Sequence, residues 1–183
     1  MVEAGSLILV CGPSRGGKSR WAEHLAACSQ LQVHYLATAD DHPSDQGWQA
    51  RIRRHRDRRP PRWTVHLPGN DLAGFVGRFR SGDLLLIDAL GTWLARHLDC
   101  GTEDWQCLED SLLTALTATP AAVVLVAEET GWGVVPPTAV GGLFRDRMGM
   151  LLERLHRRCD ASWLVMHGRA IDLMAHSQAV PEA

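Results

Sequence analysis

The chain has 183 residues, 45% hydrophobic and 22% charged, with a formal net charge of -2, which excludes a disordered chain and gives no global pull toward nucleic acid or anionic membrane. The length suits one compact domain, and no apolar run approaches the ~18 residues that would cross a bilayer. Five cysteines, odd in number and without a CxxC pair, suit reduced thiols, so a cytoplasmic protein without a membrane span is expected.

The run SLILVC (6–11) reads as a strand, and Trp21, Leu25 and Cys28 recur at helical spacing, so the chain opens strand, loop, helix. VHYLAT (33–38) is a second strand, followed by the polar loop ADDHPSDQG (39–47). Residues 48–59 are helical and highly charged, and Pro60-Pro61 end the helix because proline cannot continue its hydrogen-bond ladder. RWTVHL (62–67) alternates as a strand does. DLLLIDAL (83–90) and AAVVLVAEE (121–129) are unbroken apolar runs, the pattern of strands buried on both faces of a parallel sheet, and ASWLVMHG (161–168) is a third. Residues 103–118 and 138–159 carry helical spacing between them. This alternation predicts an α/β fold, a mainly parallel sheet with helices on both faces. The expected organisation is a single catalytic domain over 1–175 with a loosely held tail at 176–183.

The 19 basic residues include a single lysine, Lys18. It stands in Gly12-Pro13-Ser14-Arg15-Gly16-Gly17-Lys18-Ser19, which fits GxxxxGK[ST] between a strand and a helix. Glycines there let backbone N–H groups curl around a phosphate, the helix N-terminus adds its positive end, and Ser19 offers a hydroxyl to Mg2+. A compact ammonium fits between β- and γ-phosphates where a planar guanidinium does not, which explains a lysine in a chain that otherwise uses arginine. The motif implies a nucleoside triphosphate site.

Asp88, closing LLLID, is the natural second ligand for Mg2+; the competing reading is a helix cap for the segment that follows. Glu128 and Glu129 close another strand at the same sheet edge, where either one faces the site or both are solvated. His97, Cys100 and Cys107 match no common zinc spacing.

The segment RIRRHRDRRPPR (51–62) holds seven arginines against one Asp. It reads as a solvated helix face, a nucleic-acid patch, or a setting for His55. With Arg51, Arg54, Arg56 and Arg59 around it, His55 is expected to have its pKa pushed down by like charge, leaving a neutral ring free to act as a nucleophile.

Taken together, LILVCGPSRGGKSRWAE, YLATAD, RIRRHRDRRPPRW, LLLIDALGTWL, VVLVAEETGWGVVPP, FRDRMG and CDASWLVMHG resemble, in order and over almost the whole chain, the bifunctional adenosylcobinamide kinase/adenosylcobinamide-phosphate guanylyltransferase family of cobalamin biosynthesis. The resemblance implies a RecA-like P-loop NTPase that phosphorylates the corrinoid adenosylcobinamide with ATP or GTP. It then transfers GMP from GTP to that phosphate through a guanylylated histidine, with Mg2+ as cofactor and a homotrimer as the assembly. Carried over by motif, Gly12 to Ser19 cradle the phosphates, with Lys18 catalytic. Thr38, Ala39, Asp40, Arg56, Asp57, Arg58 and Arg59 lie by the nucleotide, Asp88 and Ser19 serve the metal, and His55 is the guanylylated nucleophile. The chain departs from the family pattern at Gly47, Arg54, Arg96 and Thr138, and it reads Glu128-Glu129-Thr130-Gly131 where the family commonly reads NEVG.

Three other readings compete. One is a P-loop small-molecule kinase in which His55 is structural. Another is a GTPase switch, for which DALG (88–91) fits DxxG, but the guanine-reading NKxD motif needs a second lysine that the chain lacks. The third is a nucleotide-dependent nucleic-acid protein using 51–62, whose binding would weaken steeply with salt.

Overall fold

The protein, seen in a computed structural model, is described over residues 2–40 and 44–181. Residues 41–43 of the polar loop, residues 182–183 of the tail and the side chains of Trp48 and Arg51 lie outside the described residues.

Strands β1 (Leu7–Gly12), β2 (Gln32–Ala37), β3 (Thr64–His66), β4 (Asp83–Asp88), β5 (Ala122–Glu128), β6 (Ala161–Met166) and β7 (Arg169–Asp172) form one sheet in the order β3-β2-β4-β5-β1-β6-β7. All neighbours pair in parallel except β7, which runs antiparallel to β6. The carboxyl ends of β1, β2, β4 and β5 therefore open on one edge, where ligands bind in sheets of this kind. β5 lies between β1 and β4, so its last residue, Glu128, lies between the glycine-rich loop and Asp88.

Alternation along the central strands builds two cores. Leu7 and Leu9 of β1, Leu85 and Ile87 of β4, and Val123 and Leu125 of β5 face one side. There they meet α3 (Leu72–Val76), α4 (Leu90–Ala95), α5 (Thr102–Ala118) and α6 (Ala139–His156). Ile8, Val10, Leu84, Leu86, Val124 and Val126 face the other side, packed on Ala22 and Ala26 of α1 (Lys18–Cys28). α2 (Gln46–Arg58) carries the basic segment, and α7 (Leu173–His176) follows β7.

The two-sided parallel sheet agrees with the sequence expectation. Its boundaries differ where short elements intervene: the 83–90 run stops as a strand at Asp88 because Leu90 already begins α4, and 62–67 shrinks to Thr64–His66. The short elements α3, α4, β7 and α7 span too few residues for periodicity to declare them. Residues 177–181 carry neither helix nor strand, and Val180 is 82% exposed.

Candidate active site

The glycine-rich loop is shaped by a close backbone approach. Gly12 has φ 149, and a Cβ there would lie 2.1 Å from the Val165 carbonyl oxygen of β6; at Gly16 the same oxygen would be 2.6 Å away. Gly17 enters α1 with φ 114, a left-handed conformation that favours glycine. Gly168 N–H donates to Gly16 O at 3.0 Å, so β6 and its following turn hold the loop in place. Lys18 is buried, and its Nζ donates to Pro13 O at 3.0 Å.

Asp88 sits opposite. Ser19 Oγ donates to its Oδ1 at 3.3 Å, Tyr35 OH donates to its Oδ2 at 2.7 Å, and His55 Nδ1 lies 3.4 Å from Oδ2. Burial by itself raises this carboxyl's pKa, but the hydrogen bond and charge of His55, with the Tyr35 and Ser19 donors, outweigh it and hold Asp88 below the usual carboxylate range. Burial and then Asp88's charge drive the Tyr35 phenol far up, so it remains a donor. Asp88 is not a helix cap: the cap of α4 is Ala89, with no side-chain bond. Ser19 and Asp88 together present hard oxygen donors to the cleft, which suit Mg2+. Among the described residues, no group of three His, Cys, Asp or Glu side chains that could hold a metal ion occurs, at His97, Cys100 and Cys107 or elsewhere.

The surroundings of His55 include carboxylates that the sequence expectation did not name. Its ring faces Asp88 at 3.4 Å and Glu23 at 4.0 Å, with Arg54 and Arg58 lining the same cleft. Arg58 reaches Glu23 in a two-pronged pair, both N···O distances 2.9 Å. Arg59 lies over the Tyr35 ring, 4.0 Å from its centroid, with Nε donating to His55 O at 2.9 Å. Arg56 and Asp57 are each 69% exposed and lie 3.8 Å from one another. With Asp88 holding the Nδ1 side, the nitrogen free for chemistry is Nε2.

Two cavities meet at this point. A polar cleft of about 270 Å³ follows the loop and is lined by Ser14, Arg15, Lys18, Ser19 and Arg58. A larger, mainly apolar cavity of about 560 Å³ lies beside it, lined by Tyr35, Ala39, Ile52, Val65 and Leu67. His55, Asp88 and Glu128 line both and form the shared wall.

Residues 8–173 match the family described as cobinamide kinase / cobinamide phosphate guanyltransferase. The chain belongs to this family. It is thereby an enzyme of phosphorus-group transfer. The bifunctional adenosylcobalamin biosynthesis protein CobP of Pseudomonas aeruginosa is 37% identical over 90% of this chain and 95% of its own length. The CobU proteins of Escherichia coli and Salmonella typhimurium are each 32% identical over 91% of this chain and 99% of theirs. In fold the chain is RecA-like. A solved type III secretion ATPase from pathogenic bacteria aligns with a TM-score of 0.59 at 12% identity, over 96% of this chain and 59% of that one. PH0250 of Pyrococcus horikoshii aligns with 0.59 at 8%, over 93% and 87%.

The residues expected beside the nucleotide are not all in one place. Ser14, Arg15, Gly17, Lys18, Ser19 and Arg58 line the polar cleft, whereas Ala39, Asp40, Arg56 and Arg59 line the apolar cavity. Thr38 lines neither cavity: it is fully buried, its Oγ1 2.6 Å from both Ala89 O and Thr92 Oγ1, and so ties the end of β2 to the turn after Asp88. Gly12, Pro13 and Gly16 shape the loop from behind, and Asp57 points to solvent.

The departures from the family pattern have local roles. Arg96 forms an ion pair with Asp40. Thr138 caps α6, accepting Gly141 N–H at 3.1 Å, and Gly47 and Arg54 line the polar cleft. Of the two acids closing β5, Glu129 turns back to accept Gly131 N–H at 2.6 Å, while Glu128 lines both cavities and accepts Gly91 N–H on Oε2 at 2.9 Å. Burial pushes the Glu128 carboxyl up against the opposing pull of Lys18.

Sequence reasoning did not single out Tyr35 or Glu23. Tyr35 is the chain's one tyrosine, set in an apolar strand three residues before Thr38, and that placement is the signal available for it. Glu23 carries no sequence signal, because its meeting with Arg58 depends on how α1 and α2 pack.

Proposed function

We propose that this protein phosphorylates adenosylcobinamide with ATP or GTP and then converts the product to adenosylcobinamide-GDP through a guanylyl-histidine on His55. The observation that carries this reading is the shared wall: His55 stands between a phosphate cradle and an apolar cavity, with Asp88 on its Nδ1 side. The polar cleft takes the triphosphate and the apolar cavity takes the corrinoid arm.

In the first step Lys18 exchanges Pro13 O for the β- and γ-phosphates, and the acceptor hydroxyl attacks the γ-phosphorus as its bond to the β-phosphate oxygen breaks. In the second, His55 Nε2 attacks the α-phosphorus of GTP and pyrophosphate leaves, held by the loop and Lys18. The corrinoid phosphate then attacks the same phosphorus, forms the pyrophosphate bond and frees the imidazole. Ser19 and Asp88 would hold Mg2+, which supplies charge neutralisation on the phosphates. Arg54 and Arg58 add positive charge to the same cleft.

The same reading includes a single catalytic domain over 1–175, a cytoplasmic setting, which the five free thiols favour, and assembly into a homo-oligomer. The exposed apolar side chains of Trp132, Val134, Val135 and Val140 offer a surface for that assembly.

The test uses GTP labelled at the α- or the γ-phosphate. Incubation with Mg2+ is expected to leave acid-labile label on the chain from the α-phosphate alone, and His55→Ala is expected to abolish it. Phosphorylation of adenosylcobinamide with no α-label under any condition would refute the guanylyl-histidine and leave a kinase in which His55 is structural.

A further inference from the structure

Building on the proposed kinase step, we infer that Glu128 is its general base: the carboxylate at the end of β5, set in the wall common to both cavities, takes the proton from the corrinoid hydroxyl as that oxygen attacks the γ-phosphate. The argument begins with position. β5 is inserted between β1 and β4, so its terminal side chain lies between the loop that holds the triphosphate and the cavity assigned to the acceptor. A base must touch both regions, since the proton leaves one reactant while its oxygen bonds to the other.

The three groups of the shared wall are chemically unequal. Asp88 has both oxygens engaged, by Ser19 on one side and by Tyr35 and His55 on the other. Such a carboxylate is a weak base suited to orienting and to metal binding. His55 is assigned to covalent transfer, with its Nδ1 side taken by Asp88. Glu128 reaches both cavities and accepts backbone hydrogen bonds from Gly91 N–H, at 2.9 Å, and from its own N–H, while burial raises its carboxyl against these bonds and the charge of Lys18.

The step balances. The hydroxyl O–H bond breaks, its proton passes to Glu128, and the oxygen forms the bond to the γ-phosphorus. The bond from that phosphorus to the bridging oxygen breaks and the nucleoside diphosphate leaves. Glu128 returns its proton to solvent as the product departs.

The experiment compares wild type with Glu128→Gln and Glu128→Asp in steady-state phosphorylation of adenosylcobinamide by ATP, after thermal unfolding has verified each fold. Glutamine still accepts Gly91 N–H, so a merely structural role would survive the change. A lost base is expected to lower kcat on the order of 100-fold with little change in KM for ATP, and aspartate is expected to retain more activity than glutamine. Glutamine at near wild-type kcat, glutamine more active than aspartate, or a glutamine variant that does not fold would each overturn the assignment. A wild-type chain that phosphorylates no adenosylcobinamide would instead overturn the functional reading beneath it.

Discussion

Tyr35→Phe isolates one bond at the centre of the site. The ring is 3% exposed and lies under the Arg59 guanidinium, so phenylalanine keeps the packing and the cation–π contact while removing the hydroxyl that donates to Asp88 Oδ2 at 2.7 Å. Asp88 is then left with His55 at 3.4 Å and Ser19 at 3.3 Å. A hydrogen bond to a buried charge contributes about 1.5–3 kcal/mol, and that is the expected loss at pH 7. For a chain of this size it corresponds to a fall in Tm of roughly 3–12 °C. The loss carries a pH signature. A carboxyl depressed in the folded state stabilises the protein above its unfolded pKa of about 3.9, and that contribution disappears as pH falls through the folded value. The gap between wild type and Tyr35→Phe is therefore expected to be full at neutral pH and to shrink in acid. Urea unfolding at pH 7 and at stepwise lower pH, repeated in an Asp88→Asn background, measures it. A gap under about 0.5 kcal/mol at pH 7, or one that Asp88→Asn leaves unchanged, would refute the assignment of Tyr35 as a donor to a charged Asp88.

Three further predictions concern the phosphate loop and α6. Gly12→Ala places a methyl group 2.1 Å from Val165 O at φ 149, so a loss of at least ~2 kcal/mol and weakened nucleotide binding are expected, read by thermal unfolding and by titration with a fluorescent nucleotide. Gly149→Ala, on α6 with nothing within 4 Å of the added carbon, is the matched control and is expected to gain about 0.5–1 kcal/mol. Thr138→Ala removes the cap bond to Gly141 N–H and is expected to cost about 1 kcal/mol in the same unfolding measurement.

The amino-acid sequence by itself determined the layered α/β sheet and the phosphate loop, because both are written locally. A buried parallel strand needs a continuous apolar run such as 121–127, and a backbone cradle for phosphate needs glycines followed by lysine and serine at fixed spacing. It also put Asp88 and Glu128 at strand ends, since parallel strands share one edge. What only the tertiary structure decided is which groups meet there. Arg58 and Arg59, three and four residues beyond His55, send their charges to Glu23 and to the Tyr35 ring, and the imidazole faces a carboxylate thirty-three residues away. A long flexible stem frees a charge from its sequence neighbours, so proximity along a helix does not give the field at a neighbouring ring. Strand order is likewise invisible to local pattern. The insertion of β5 between β1 and β4 turns two indistinguishable glutamates into one that lines both cavities and one that caps a turn.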